Sequence, residues 1–194
     1  MDTTRGSLLQ KIRDRGNSVA WREFDAIYRP MILRLGRARG LDAATAEDVV
    51  QHCMLAIHRH IDGFDYDPRK GHFKGWLRTL VDNRVRNLLR DRHDQLADTK
   101  DFKRPQESEA SPEEVFERLW HQEHLDYCLG QIRAEVQEST FKAFELHVLE
   151  EWPVEKVSAA LGMTNDQVYR IKWRVLQKLR AKMRELLEEA EGEE

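Results

Sequence analysis

Apolar residues recur at steps of three and four along almost the whole chain, and that spacing suits helices rather than strands. After Ser18, a plausible N-cap, come Trp21, Phe24, Ile27, Tyr28, Met31, Ile32 and Leu35. Pro30 lies inside the pattern and is expected to bend the helix, and Gly40 to end it. Asp42 or Thr45 caps a second helix over 45–60, with Ala46, Val49, Val50, Cys53, Met54, Ile57 and Ile61 inward. Residues 63–72, with Pro68, Gly71 and several Asp and Gly, read as a loop before a third helix over about 73–92. No segment shows convincing strand alternation and no repeat is present. Only 10 Gly and 5 Pro argue the same way. The expected class is all-α, with two small helical domains joined by an acidic linker.

The linker is the aperiodic, apolar-poor stretch 95–111. Ser111, Pro112 and Glu114 then form a capping box with proline at the first helical position. The helix they open is expected to bury Val115, Phe116, Leu119, Trp120, Tyr127, Cys128 and Ile132. A short helix around 141–149 follows. The expected domains are 1–94 and 112–187, with an acidic tail over 188–194.

A net charge of −3 conceals a blocked pattern. Residues 1–94 carry 18 Lys/Arg against 13 Asp/Glu, and 95–151 carry 6 against 14. Residues 152–184 carry 8 against 2, and the last ten carry none against 6. Two basic blocks around an acidic one imply two polyanion-binding surfaces. No apolar run approaches the length of a membrane span, so no membrane insertion is expected. The N-terminus has no secretory pattern, and Cys53 and Cys128 fall on apolar helical stripes as reduced thiols. A cytoplasmic location is the expectation.

Residues 153–180 have the spacing of a helix-turn-helix, the second domain's DNA-reading motif. Ala159 and Ala160 are small enough for a close helix crossing, Gly162 supplies the turn and Thr164 the cap. Val168, Ile171, Val175 and Leu179 form the inner stripe. That leaves Asn165, Asp166, Gln167, Tyr169, Arg170, Lys172, Trp173 and Arg174 near or on the outer face. Such residues read base edges and hold phosphates in a major groove. In the N-terminal half, Glu47, Asp48, Gln51, Leu55, His58 and Arg59 share the outer face of the second helix, as suits a protein partner. Phe64, Tyr66, Phe73 and Trp76 lie among Arg69, Lys70, Lys74, Arg78, Arg84, Arg86, Arg90 and Arg92. Aromatics stack on unpaired bases while cations track phosphates, although Phe73 and Trp76 individually read more readily as core.

These motifs, in this order, resemble the bacterial sigma factors of the extracytoplasmic-function type. Glu47-Asp48-Val49-Val50-Gln51 is similar to that family's polymerase-binding helix. Phe73-Lys74-Gly75-Trp76-Leu77 with Asn83 and Arg90 is similar to its −10-reading helix, and Val168–Arg174 with Leu179-Arg180 to its −35-reading helix. The resemblance covers about 18–92 and 112–185. It implies a sigma factor that binds core RNA polymerase through Glu47, Asp48, Gln51, His52 and Leu55. It implies −10 contacts from Asp65, Tyr66, Arg69, Lys70, Lys74, Asn83, Arg84, Arg86, Asn87 and Arg90. A loop at 62–72 would capture a flipped base. The outer-face residues Asn165–Arg174 would read the −35 element, and an anti-sigma factor would restrain the protein. His52 departs from the family's usual acid, Thr79 and Leu80 stand where housekeeping sigma factors carry tryptophans, and Val175 replaces an alanine.

Two rival readings start from the same residues. A helix-turn-helix regulator acting without polymerase docking accounts for the second half but leaves 69–92 unused. A metal site at His121, His124 and Cys128, or among His52, Cys53, His58 and His60, lacks the paired motifs zinc sites use. Asp62, Asp65 and Asp67 start like a calcium loop, whose last ligand would be Phe73, a residue that cannot ligate. No nucleophile–base pair or phosphate-cradling glycine loop is recognisable, so no catalysis, metal or cofactor is expected.

Overall fold

The computed structural model describes residues 2–4, 6–63, 73–96 and 111–189, and their side chains over 8–63, 73–90 and 111–187. The chain divides into two compact units, 1–123 with 188–194, and 124–187. Helix dominates both. The helical class expected from the sequence is the class observed; among the described residues two three-residue strands, β1 (Asp2–Thr4) and β2 (Leu187–Glu189), are also present, too short for alternation to register in the sequence.

The first unit holds α1 (Gly6–Arg13), α2 (Ser18–Ala38), α3 (Ala43–His60), a 3-10 turn (Ile61–Gly63) and α4 (Phe73–Leu96). The cap of α2 is Asn17 rather than Ser18: Asn17 Oδ1 accepts from the Ala20 N–H at 3.1 Å. The helix runs on through Pro30 to Ala38. Asp42 caps α3, accepting from the Thr45 N–H at 2.9 Å. Gly36 lets α2 and α3 approach closely, because a Cβ there would sit 3.2 Å from that of Ala46. Phe24, Ile27, Tyr28, Met31, Ile32 and Leu35 of α2 are buried, as are Val49, Val50, Cys53 and Ile57 of α3 and Phe73 and Leu77 of α4. Each such side chain contributes roughly 1.5–3 kcal/mol by leaving water. Phe24, Tyr28 and Phe73 form an aromatic cluster, with Phe73 edge-on to both at 5.8 and 5.4 Å.

The helix α5 (Pro112–Glu135) begins where the capping box predicts. The Ser111 N–H donates to Glu114 Oε2 at 2.6 Å, and the Glu114 N–H to Ser111 Oγ at 3.2 Å. The division between units does not fall there, at 111/112, but within α5 at 123/124. The reason is long-range packing: Trp120 is buried 5.8 Å from the Tyr28 ring, and Phe116 stacks on Trp120 at 6.0 Å. The opening turns of α5 are thus part of the first unit's core.

The second unit contains the rest of α5, α6 (Glu138–Phe144), a π-helical turn (Glu145–Leu149), α7 (Val154–Leu161) and α8 (Asn165–Leu186). Ile132, Phe141, Phe144, Leu146, Val154, Val157, Val168, Ile171 and Val175 form its core. Leu161 and Leu179 pack against it, so the inner stripe falls where its period placed it. Ala159 and Ala160 are exposed, and α7 is buried through Val154, Val157 and Ser158 instead. Among the described residues no helix is long and apolar enough to cross a membrane.

Candidate nucleic-acid and partner interfaces

The α7–α8 junction is closed by caps on both sides. Gly162 takes the left-handed conformation at φ 64° and ends α7, while the Met163 N–H donates to the Ser158 carbonyl at 3.0 Å. Thr164 then caps α8. The Gln167 N–H donates to Thr164 Oγ1 at 3.2 Å, and the Thr164 N–H to Gln167 Oε1 at 2.7 Å. Asn165 is tied to α7, since Ser158 Oγ donates to its Oδ1 at 2.6 Å. These bonds commit Asn165 and Gln167 to holding the turn.

Beyond them α8 presents a solvent face. Asp166, Tyr169, Arg170, Trp173 and Arg174 are exposed and Lys172 is half-buried. Trp173 at 64 % and Tyr169 at 51 % are large apolar surfaces left in water, one turn apart. The Tyr169 ring lies edge-on to His147 at 5.8 Å, and His147 is held by a 2.9 Å contact of its Nδ1 with the Trp152 carbonyl. Arg170 Nε donates to the Asp166 carbonyl at 3.3 Å, which lays its stem along the helix. On the far side of α8, Lys182 and Lys178 hold Glu135 at 2.6 and 3.2 Å. Both hold its carboxyl below the usual range, Lys182 more strongly.

In the first unit α3 shows Asp48, Gln51, His52 and Leu55 to solvent, and Leu55 is 56 % exposed. Glu47 is less available because Arg29 of α2 grips it, a hydrogen bond that also raises the Arg29 pKa. Desolvation, helped by the charges of Arg84 and Arg59, lowers the His52 pKa below 6.5. The neutral form of the imidazole is therefore favoured. Burial pushes the Cys53 thiol up to about 12 and that of Cys128 to about 11, so neither is a nucleophile at neutral pH.

Along α4, Asn83, Arg86, Asn87 and Arg90 are exposed, and Arg84 is half-buried with its Nε enclosed and unbonded. Asp65, Tyr66, Arg69 and Lys70, with most of the expected 62–72 loop, lie outside the described residues. Phe73 is core and Trp76 is half-buried, 5.7 Å from it. Lys74 departs from its expected outward role. It is 5 % exposed, bonded to Glu117 at 2.5 Å, with its ammonium 5.3 Å from the Trp120 ring centroid. One turn on, Arg78 pairs with Glu113. These partners lie about forty residues apart and leave no local signal, although Lys74/Arg78 and Glu113/Glu117 each stand four apart, the spacing two antiparallel helices need for cross-pairing. Among the described residues no three His, Cys, Asp or Glu side chains converge as a metal site would require.

No curated protein matches the chain in sequence. Among solved structures it is similar to CnrH in complex with the cytosolic domain of CnrY, at 20 % identity and TM-score 0.38, over 90 % of this chain and 94 % of that one. It is also similar to the sigma factor RpoE in complex with the anti-sigma factor NepR from Bartonella quintana, at 15 % identity and TM-score 0.36, over 84 % and 96 %. Superpositions this loose transfer no residue or contact. The sequence match is of another kind: residues 26–94 fit the model of sigma-70 region 2, a span running from within α2 through α3 to near the end of α4. Residues 26–94 are thus similar to sigma-70 region 2.

Proposed function

We propose that this protein is a sigma factor of the extracytoplasmic-function type, which joins core RNA polymerase and directs it to promoters by reading a −10 and a −35 element. The observation that carries the reading is the region 2 match over 26–94. Its supports are the exposed Asp48, Gln51 and Leu55 of α3, the exposed Asn83, Arg86, Asn87 and Arg90 of α4, and the capped helix-turn-helix of the second unit. Asp48, Gln51 and Leu55 meet the polymerase, with Glu47 and His52 beside them. The polar face of α4 holds −10 DNA, joined by Asp65, Tyr66, Arg69 and Lys70. On α8, Asp166, Tyr169, Arg170, Lys172, Trp173 and Arg174 enter the −35 major groove, with Asn165 and Gln167 setting the helix start. The cations among them carry the salt-dependent part of the affinity, and the base-edge contacts carry the specificity.

Strand opening rests on base capture by the 62–72 segment, since Trp76 packs against Phe73 and is no free wedge. An anti-sigma factor covering α3 or α8 is the expected negative regulator, and the protein acts in the cytoplasm without chemistry of its own. Run-off transcription with core polymerase over a randomised promoter library tests the whole reading. Transcripts from templates sharing two spaced elements are expected, with the spacing set by the complex. Failure to bind core polymerase, or transcripts no more selective than core alone produces, overturns it.

A further inference from the structure

The start of α4 is masked by the chain's own acidic helix. Lys74 bonds Glu117 at 2.5 Å, Arg78 pairs with Glu113, and Arg34 of α2 pairs with Glu123 at 2.8 Å. Arg39, bonded to Asp82 of α4 at 2.7 Å, also reaches the Pro112 carbonyl at 3.5 Å. Phe116 and Trp120 anchor the segment apolarly, on the same helix and toward the same cluster. Three carboxylates along three turns of α5 thus meet three cations of α2 and α4, and two of those cations open the helix that the proposed function turns toward DNA.

We propose that residues 112–123 are a built-in competitor for the cations at the start of α4, which a nucleic-acid strand must displace to reach Lys74 and Arg78. The inference rests on the proposed DNA-binding role of α4. The carboxylates of Glu113 and Glu117 stand where phosphate oxygens would stand, and one set of cations cannot neutralise both. The two pairs differ in strength. Arg78–Glu113 is open to water, Glu113 being 68 % exposed, and exchanges readily for phosphate. Lys74–Glu117 lies against the Trp120 ring with Lys74 nearly enclosed, and yields only when the apolar anchor lets go. The mask therefore opens in two steps, the outer pair first. It raises the threshold for non-specific DNA, which offers phosphates alone, over a promoter complex, which adds base contacts and polymerase docking.

The test uses the full chain and a fluorescein-labelled single-stranded oligonucleotide of mixed sequence at low salt. The variant Glu113→Gln/Glu117→Gln keeps shape while removing both competing charges. Glu23→Gln/Glu138→Gln removes two charges from α2 and α6 as the control. The first variant is expected to bind about three- to tenfold more tightly than the control, the range two released ion pairs supply. Equal affinities overturn the proposal. Hydrogen exchange supplies a reading independent of net charge. Adding saturating oligonucleotide to the wild-type chain is expected to speed exchange of the 115–122 amides. Unchanged or increased protection there overturns the proposal. Core polymerase binding through α3 is measured separately. Its loss with the mask intact refutes the sigma-factor reading alone, and its retention with an unmoving mask refutes only the mask.

Discussion

Replacing Gly162 by alanine isolates one backbone term in the α7–α8 turn. Gly162 sits at φ 64° and ψ 34°, and a Cβ built on it meets nothing within 4 Å. No clash enters, so the cost is that of holding an L-residue in the left-handed region, about 1–2 kcal/mol. Alanine also narrows the unfolded ensemble, which returns about 0.4–1 kcal/mol. The net expectation is a loss of roughly 0.5–1 kcal/mol, confined to the second unit. Because two units need not unfold together, a single melting curve is a poor measure. Native-state hydrogen exchange on Val168 and Ile171, both buried on α8, reads the second unit directly. Their protection is expected to fall about two- to fivefold, with first-unit amides such as Val50 unchanged. Gly162→Asn is expected to lose less than alanine, because asparagine tolerates this conformation. Full protection in the alanine variant, or a larger loss with asparagine, refutes the backbone account of the turn.

Leu55→Ala and Asp48→Ala alter side chains already in water, so thermal stability is expected to stay within about 0.5 kcal/mol of wild type. Affinity for core polymerase is expected to fall in a pull-down titration, and unchanged affinity in both variants removes α3 from the interface. Arg170→Ala and Lys172→Ala are each expected to weaken −35 binding, by about 1–3 kcal/mol where a base edge is contacted. Normal initiation by either variant on a selected promoter shows that its side chain makes no such contact. The His52 pKa is lowered in the fold, so the unfolded chain binds more protons below pH 6.5 and stability falls with acidification there. That contribution is complete above pH 6.5 and is lost as pH drops through the folded pKa. His52→Gln is expected to flatten this part of a urea-midpoint profile, and an unchanged profile assigns the slope to other groups.

The elements that the sequence identified share one property: their determinants lie within a few residues of one another. The Ser111–Glu114 capping box and the Thr164 cap each rest on residues three apart, and both form where the residue types placed them, although Gln167, expected on the outer face, turns back to close the second. The buried stripes of α2, α3 and α8 are periods of one helix. Slips within this range came from near-equivalent neighbours. Asn17 outcompetes Ser18 as a cap, and Ala159 and Ala160 face solvent because Val157 and Ser158 take the inner arc of α7.

What the tertiary structure decided involves partners far apart in the chain. Lys74 and Glu117 are 43 residues apart, as are Arg39 and Asp82. Nothing local distinguishes Lys74, enclosed against Trp120, from Arg86, which stays in water. Charge blocks in the sequence announced a basic helix and an acidic one, yet a block cannot say whether it faces a solvent ion, a phosphate or its own complement. That choice belongs to the aromatic packing of Tyr28, Phe73, Phe116 and Trp120, which carries the opening turns of α5 across the expected linker boundary and onto α4. Helices follow from short-range periodicity and capping. Which helix faces a charge is settled only when apolar surfaces far apart in sequence are buried together.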